Sequence, residues 1–154
     1  KTPKPQKNEN KMNRKYKTGA GIIVYQDKPD GIFILALEGP QEHQVKHSGK
    51  WDLPKGIIEK EEDMLDCAIR ETYEESDYMV SKGDILDGPF QVSQCFMYVA
   101  PYDNIQAPKI KPNPMTGILE HEGWEWVNID EFEISGYDWL RPFASWARRV
   151  IKGA

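Results

Sequence analysis

The pattern of apolar and polar positions predicts two strands near the start of the chain. Residues 19–25 (GAGIIVY) and 31–39 (GIFILALEG) are aliphatic or β-branched almost throughout. Between them Pro29-Asp30-Gly31 is a turn signal, so we expect a β-hairpin. Because neither run alternates with polar residues, the sheet should be covered on both faces.

From Asp63 to Asp77 the apolar period changes to that of an amphipathic helix, and the run contains neither proline nor glycine. Its buried stripe recurs at spacings of three and four residues and consists of Met64, Leu65, Ala68, Ile69 and Thr72. We therefore predict a helix over this range.

Before this helix, the sequence pattern of residues 40–56 predicts mostly loop, with one short strand. Residues 40–50 read as a polar loop, in which we expect His43 and His47 to be exposed. Two histidines four residues apart can bind a metal on a helix, but Pro40 and the Ser48-Gly49 break favour the loop. A short strand at 51–54 should then lead into a bend at Lys55-Gly56.

After the helix, the pattern predicts a turn at 82–84, a strand-like run at 90–100, a strand at 124–127 followed by a turn, and a C-terminal helix. That last helix presents one apolar face, formed by Trp139, Phe143, Trp146, Ala147 and Val150, with Pro142 in its first turn. Residues 101–119 contain four prolines and no periodic pattern, and loops of this length in compact domains tend to be functional or disordered. The order strands, helix, strands, helix indicates an α/β domain with a mixed sheet between helices.

Length and composition place the chain among single-domain proteins that need no structural cross-link. At 154 residues the chain can bury roughly 68–70% of its unfolded surface. Cys67 and Cys95 fit no metal-ligand spacing, so we expect buried free thiols and a reducing compartment. No run approaches a membrane span or a signal peptide, which predicts a cytoplasmic protein without a membrane partner.

The net charge of −5 conceals an uneven distribution. Residues 1–17 carry seven Lys or Arg and one Glu, a net charge of +6, so the rest of the chain carries thirteen bases and twenty-four acids, a net charge of −11. We divide the chain into a basic flexible arm, residues 1–17, and a folded domain, residues 18–154. A nucleic-acid partner is possible through the arm, but the acidic body disfavours it.

Carboxylates crowd one side of the predicted helix. Glu71, Glu74 and Glu75 stand at i, i+3 and i+4, so at about 100° per residue they share a face and repel one another. The base nearest to them is Arg70. A divalent cation would relieve the repulsion far better than one guanidinium, whereas the alternative is an ordinary solvated acidic face.

The spacing around these carboxylates is specific. Gly56, Glu62, Arg70-Glu71 and Glu74-Glu75 stand in a fixed register over twenty residues. This stretch, residues 56–78, resembles the Nudix box, the signature of Nudix hydrolases, which cleave nucleoside diphosphates linked to another moiety. It departs from that signature at Thr72, where an aliphatic residue is usual, and at Asp77, where glycine is usual. Since Asp tolerates the left-handed conformation of a helix end, we expect an intact site.

The resemblance implies a Nudix-like α/β/α sandwich and a site that uses Mg²⁺ or Mn²⁺. It makes Glu71, Glu74 and Glu75 metal ligands, with Glu71 alternatively the base that acts on water. Glu120 is the candidate distal ligand or general base, and Glu122 competes with it.

The remaining implied roles concern substrate binding and support of the site. Lys55 would contact phosphate, or else be a solvated loop lysine, and Tyr98 would stack an adenine, or else pack in the sheet. Gly56, Glu62 and Arg70 are structural or orienting residues.

The resemblance extends over residues 18–150 and is greatest to the branch that hydrolyses diadenosine polyphosphates, through Pro54-Lys55-Gly56 and Glu120-His121. It therefore implies a small nucleotide substrate such as diadenosine tetraphosphate. The alternatives are pyrophosphate removal from RNA 5′ ends or diphosphoinositol polyphosphates, and a non-catalytic nucleotide-binding module with this fold.

Overall fold

In a computed structural model, residues 17–153 can be described, and they form an α/β domain around one mixed sheet. Its strands are β1 (Gly19–Lys28), β2 (Gly31–Glu38), β3 (Trp51–Asp52), β4 (Lys55–Ile57), β5 (Asp87–Val92), β6 (Cys95–Pro101) and β7 (Gly123–Asn128). Its helices are α1 (Gln41–Lys46), α2 (Met64–Ser76), α3 (Ile129–Ser135) and α4 (Arg141–Lys152). The predicted arm lies outside the described residues except for Lys17.

The strand order is β3-β2-β1-β6-β5, with β4 paired to β1 and β7 paired to β2. β1 and β6 are parallel, whereas the other paired strands are antiparallel. The predicted hairpin is confirmed as β1 and β2, in which Lys28 pairs with Gly31 across the turn.

Helices cover both faces of the sheet, as the apolar runs predict. Along β1, Ala20, Ile22 and Val24 face the cluster under α2, while Ile23 and Tyr25 face the cluster under α3 and α4. Successive residues of a strand point to opposite faces, so a strand buried on both sides carries no polar alternation. The α/β/α sandwich is therefore confirmed.

The ends of α2 agree with the predicted helix from Asp63 to Asp77. The Asp63 side chain caps the helix by accepting from the Leu65 and Asp66 N–H groups, which satisfies donors that have no partner within the helix. Asp77 follows the last turn with a φ of 69°. The left-handed conformation expected at this departure from the box is thus present.

Four local predictions are wrong in detail. Residues 41–46 form a short helix rather than a loop, and the bend at Lys55-Gly56 belongs to strand β4, which pairs with β1. The run at 90–100 is an antiparallel hairpin of β5 and β6, with Ser93 in a positive-φ turn. Helix α3 replaces the predicted turn after β7.

The Pro-rich segment has no helix or strand from residue 102 to residue 122. Backbone hydrogen bonds nevertheless tie it down, from Tyr102 N–H to the Tyr25 carbonyl and from Lys109 N–H to the Ser76 carbonyl, at 2.9 Å each. Tyr78 donates its hydroxyl to the Gln106 carbonyl. The segment therefore runs along the end of α2 toward β7.

Cys67 and Cys95 are buried free thiols, as expected. Burial raises the pKa of Cys67 to about 12 and that of Cys95 to about 11. Among residues 17–153, no helix is long and apolar enough to span a membrane. The cytoplasmic location stays a prediction.

Candidate active site

Helix α2 brings its carboxylates against strand β4. A Cβ atom added at Gly56 would overlap the Glu71 carboxyl group. The backbone can approach Glu71 this closely because glycine has no side chain. The φ of Gly56 is not positive, so the backbone conformation does not require glycine here. Glycine is required because the strand and the helix approach so closely.

Arg70 joins the carboxylates of the box to one another. Its Nε and Nη2 donate to the two oxygens of Glu62 at 2.8 Å and 3.0 Å. Its Nη1 lies 3.0 Å from Glu71 Oε2 and 3.2 Å from Glu74 Oε2. The hydrogen bonds from Arg70 lower the pKa of Glu62. Arg70 thus forms a bidentate pair with Glu62, and it also partly neutralises the repelling cluster.

Glu71 and Glu75 lie deeper than Glu74. Burial raises the pKa of Glu71; Arg70 opposes this shift, and the charges of Glu74 and Glu120 reinforce it. Burial likewise raises the pKa of Glu75 well above its usual range, against the lowering influence of Lys55. Glu75 also accepts the Lys55 backbone N–H at 3.1 Å. Both carboxyl groups therefore stand to gain from a nearby cation.

The structure separates Glu120 from Glu122. Glu120 lines the same cleft as Glu71, Glu74 and Glu75, and it accepts a hydrogen bond from Asn113 Nδ2 at 2.7 Å. Glu122 does not line this cleft in the described part of the chain; its backbone N–H extends the β2 pairing by donating to the Glu38 carbonyl. Position therefore favours Glu120 as the distal acidic residue.

The donor types fit a divalent cation, although the side chains do not yet converge. Across residues 17–153, no group of three or more His, Cys, Asp and Glu side chains is gathered closely enough to hold a metal ion. Glu71 and Glu74 are engaged by Arg70, and Glu75 by the Lys55 N–H. Oxygen ligands of this kind suit Mg²⁺ or Mn²⁺. Binding one requires these carboxylates to turn toward a common point.

Lys55 belongs to a buried charge network rather than to a solvated loop. Its Nζ lies 2.7 Å from Asp52 Oδ1, while His121 Nε2 lies 3.0 Å from Asp52 Oδ2. Burial opposes ionisation of both Lys55 and Asp52. The pKa of Asp52 is nevertheless low, because Lys55 and His121 outweigh burial, and the pKa of Lys55 is raised by Asp52 and Glu75. Both groups are therefore charged at neutral pH.

A pocket of about 470 Å³ opens beside this network. Lys55 and Gly56 form one wall, and the others come from the start of β1, the β5–β6 turn and Trp139. The Lys55 ammonium lies 5.6 Å from the Trp139 ring centroid. Apart from Lys55 and Gly56, the sequence prediction missed this pocket, because its walls come from distant parts of the chain.

Tyr98 is placed away from this pocket. The residue is 7% exposed and belongs to the apolar cluster under α2. Burial raises its pKa. The structure thus favours the packing alternative for Tyr98 over adenine stacking, since a stacked base needs an exposed ring face.

Thr72, the other departure from the box, faces the sheet. It is fully buried, and within the described residues its hydroxyl has no hydrogen-bond partner. The side chain therefore takes the packing position that an aliphatic residue would take.

Comparison with known proteins agrees with the residues of the box. Residues 15–152 match the family described as NUDIX domain. A Caenorhabditis elegans protein described as a nudix hydrolase is 28% identical over 127 residues, which is 79% of this chain and 33% of that protein. RNA pyrophosphohydrolase of Azorhizobium caulinodans is 30% identical over 74 residues, covering 47% of this chain and 43% of that protein. The chain spans less than half the length of these two curated relatives.

A solved structure is similar over nearly its whole length. The crystal structure of a Caenorhabditis elegans Ap4A hydrolase binary complex has a TM-score of 0.64 at 20% identity and covers 90% of this chain and 99% of that one. At this identity the similarity shows the fold. Since the NUDIX domain match takes in almost all the described residues and the box keeps its glycine, arginine and glutamates, the chain belongs to the Nudix family.

Proposed function

We propose that this chain hydrolyses a phosphoanhydride bond in a nucleoside diphosphate derivative, with Mg²⁺ or Mn²⁺ as cofactor, and that dinucleoside polyphosphates are its substrate class. The observation that carries the proposal is the cleft that Glu71, Glu74, Glu75 and Glu120 line together. Four carboxylates in one cleft would repel a polyphosphate unless cations intervened. The cleft therefore suits a metal-bound phosphate chain.

In this proposal Glu71, Glu74 and Glu75 hold the metal, with Glu120 as a further ligand or base. A divalent cation, when bound, would offset the phosphate charge and acidify a water molecule. Glu71 and Glu120 both line the cleft, so either is a candidate to accept the proton of that water. Arg70 keeps Glu62, Glu71 and Glu74 in register.

The neighbouring pocket supports a substrate with a nucleoside part. Its lining is mainly apolar and includes Val92, Cys95 and Trp139, and Lys55 stands at the wall nearest the carboxylates. An apolar pocket with a few polar groups suits a flat heterocycle. We place the base against Trp139 and the first phosphate near the Lys55 ammonium, in place of the Tyr98 contact.

A second candidate is pyrophosphate removal from RNA 5′ ends. It is favoured by the similarity to the RNA pyrophosphohydrolase of Azorhizobium caulinodans, which covers part of both chains. The net charge of −11 outside residues 1–17 opposes a long polyanion.

Turnover measured with Mg²⁺ separates these candidates. We expect faster release of phosphate-containing products from diadenosine tetraphosphate than from triphosphorylated RNA or diphosphoinositol polyphosphates. A preference for either of the last two would replace our first choice of substrate.

Glu75→Gln tests the metal assignment. Because Glu75 is proposed as a ligand, the variant should lose orders of magnitude in kcat, while its Tm stays near that of the parent. Glu131→Gln, on the exposed side of α3, removes the same charge away from the cleft and should retain activity. Full activity in Glu75→Gln would refute the assigned metal site.

A further inference from the structure

The aspartate that replaces the usual glycine of the box has a partner. Asp77 Oδ1 lies 3.1 Å from Lys111 Nζ, and both side chains are about one quarter exposed. Lys111 belongs to the Pro-rich segment, 34 residues further along the chain. This departure from the box thus attaches that segment to the end of α2.

Two further contacts hold Lys111 in place. Its Nζ lies 3.7 Å from the centroid of the Tyr73 ring, one turn before Asp77 on α2. Two residues earlier, the Lys109 N–H donates to the Ser76 carbonyl at 2.9 Å. The Lys111 ammonium is therefore directed by an ion pair, a cation–π contact and an anchored backbone.

Lys111 also lines the carboxylate cleft, together with Glu71, Glu74 and Glu75. It is the single lysine or arginine of that lining within the described residues. An ammonium group has three donors, and Asp77 takes one of them. Because the ammonium also lies over the Tyr73 ring, one donor remains for an anion that enters the cleft.

The two lysines stand on opposite flanks of the carboxylates. At about 100° per residue, the order around α2 runs from Glu75 through Glu71 and Glu74 to Asp77 and Tyr73. At one end of this arc the Lys55 backbone N–H donates to Glu75, and the Lys55 ammonium, paired with Asp52, is close enough for the Glu75 charge to raise its pKa. At the other end the Lys111 ammonium pairs with Asp77. A chain of phosphates laid across the carboxylates would therefore meet a cation at each end.

We propose that Lys111 binds the phosphate chain at the end of the cleft opposite Lys55, so that the site favours substrates with a longer chain of consecutive phosphates. A longer chain covers more of the arc from Glu75 to Asp77 than a diphosphate does, so it gains more from the Lys111 ammonium. The inference rests on the proposed function and narrows its substrate class. It predicts weak recognition of substrates that carry a diphosphate alone.

The test is calorimetric binding of inorganic tripolyphosphate and pyrophosphate in the presence of Mg²⁺. Lys111→Met removes the charge and keeps much of the side-chain length, and Lys111→Arg keeps the charge. Lys109→Met is the matched control, because Lys109 lies on the same segment with an exposed side chain outside the cleft lining.

Lys111→Met should weaken tripolyphosphate binding by about tenfold or more, as expected for a lost charge-assisted hydrogen bond. It should weaken pyrophosphate binding by less than about threefold. Lys111→Arg should restore most of the tripolyphosphate affinity, and Lys109→Met should match the parent. If the role of Lys111 were purely structural, Lys111→Met would lower Tm, and its effect on binding would be the same for tripolyphosphate and pyrophosphate.

The outcomes separate this inference from the proposed function. If the parent binds neither ligand with Mg²⁺ or Mn²⁺, the proposed function fails. If the parent binds tripolyphosphate and Lys111→Met binds it as Lys109→Met does, the assignment of Lys111 alone is overturned.

Discussion

Gly56 shows how one residue sets the geometry of the site. The strand that carries it touches the Glu71 carboxyl group, and α2 can lie this close because position 56 has no Cβ. The close contact also explains why the Glu71 carboxyl group is largely buried. Here the chemistry of the helix depends on the residue type in the neighbouring strand.

Gly56→Ala tests this contact. The added methyl group overlaps the Glu71 carboxyl, so we expect a loss of about 1–3 kcal/mol in the free energy of unfolding, as for overpacked sites. The kcat should fall by roughly tenfold or more because Glu71 is displaced. Activity assays and denaturant titration measure the two effects.

Gly83→Ala is the control for Gly56→Ala. A Cβ at Gly83 would meet no atom within 4 Å, so stability and kcat should both stay close to those of the parent. Equal behaviour of the two alanine variants would contradict the role given to Gly56.

At the scale of elements, the contact between Asp52 of β3 and His121 at the end of the Pro-rich segment fixes the position of Glu120. His121 is 7% exposed and contacts Asp52 at the end of β3, and Asp52 also pairs with Lys55. The Asn113 side-chain amide also donates a hydrogen bond to the Glu120 carboxylate. A segment without helix or strand thus gains a defined position beside α2.

We expect His121 to act as a positioning residue for Glu120. His121→Phe removes the contact with Asp52 and should lower kcat by about 10–100-fold, whereas His121→Gln, which can donate from a similar place, should restore much of it. In a Glu120→Gln background, His121→Phe should cause little further loss.

A double-mutant cycle in kcat, with Tm measured for each variant, distinguishes the possible roles of His121. An equal loss in both backgrounds would show that His121 acts through Asp52 and Lys55 instead. The Tm should fall in either case, because buried Asp52 loses a partner.

For the whole molecule, metal binding and stability should be linked through the buried carboxylates. Burial is the largest influence on the pKa of Glu71 and of Glu75, and it raises both. Without metal, the folded protein therefore keeps protons that the unfolded chain releases near pH 4.3. Its stability should fall as the pH rises from that value through the raised pKa range.

Mg²⁺ should reverse this trend, since it binds the deprotonated carboxylates. The difference in Tm between Mg²⁺ and EDTA should therefore widen as the pH rises from about 4 to about 7. Glu75→Gln should show a smaller widening, because one of the two groups no longer titrates. A constant difference across this range would contradict the linkage.

The sequence was sufficient for features that depend on near neighbours. Helix α2, its Asp63 cap and the left-handed Asp77 follow from spacing and residue type within a few positions. The β5–β6 hairpin was missed because its turn at Ser93 interrupts a run that reads as one strand. Helix α1 was missed because Pro40 and polar residues give six positions the appearance of a loop.

The sequence by itself determined the family, the acidic face of α2 and the arginine that pairs with the box, because these features are encoded within about twenty consecutive residues. The tertiary structure decided which other residues join them. Asp52, Lys111, Glu120 and His121 lie far apart in sequence. They meet beside α2 because β3 pairs with β2 and the Pro-rich segment is tied to the end of the helix. Trp139, also distant in sequence, lines the neighbouring pocket with Lys55. Packing against the sheet likewise buried Tyr98, whose aromatic ring alone had suggested a role in binding.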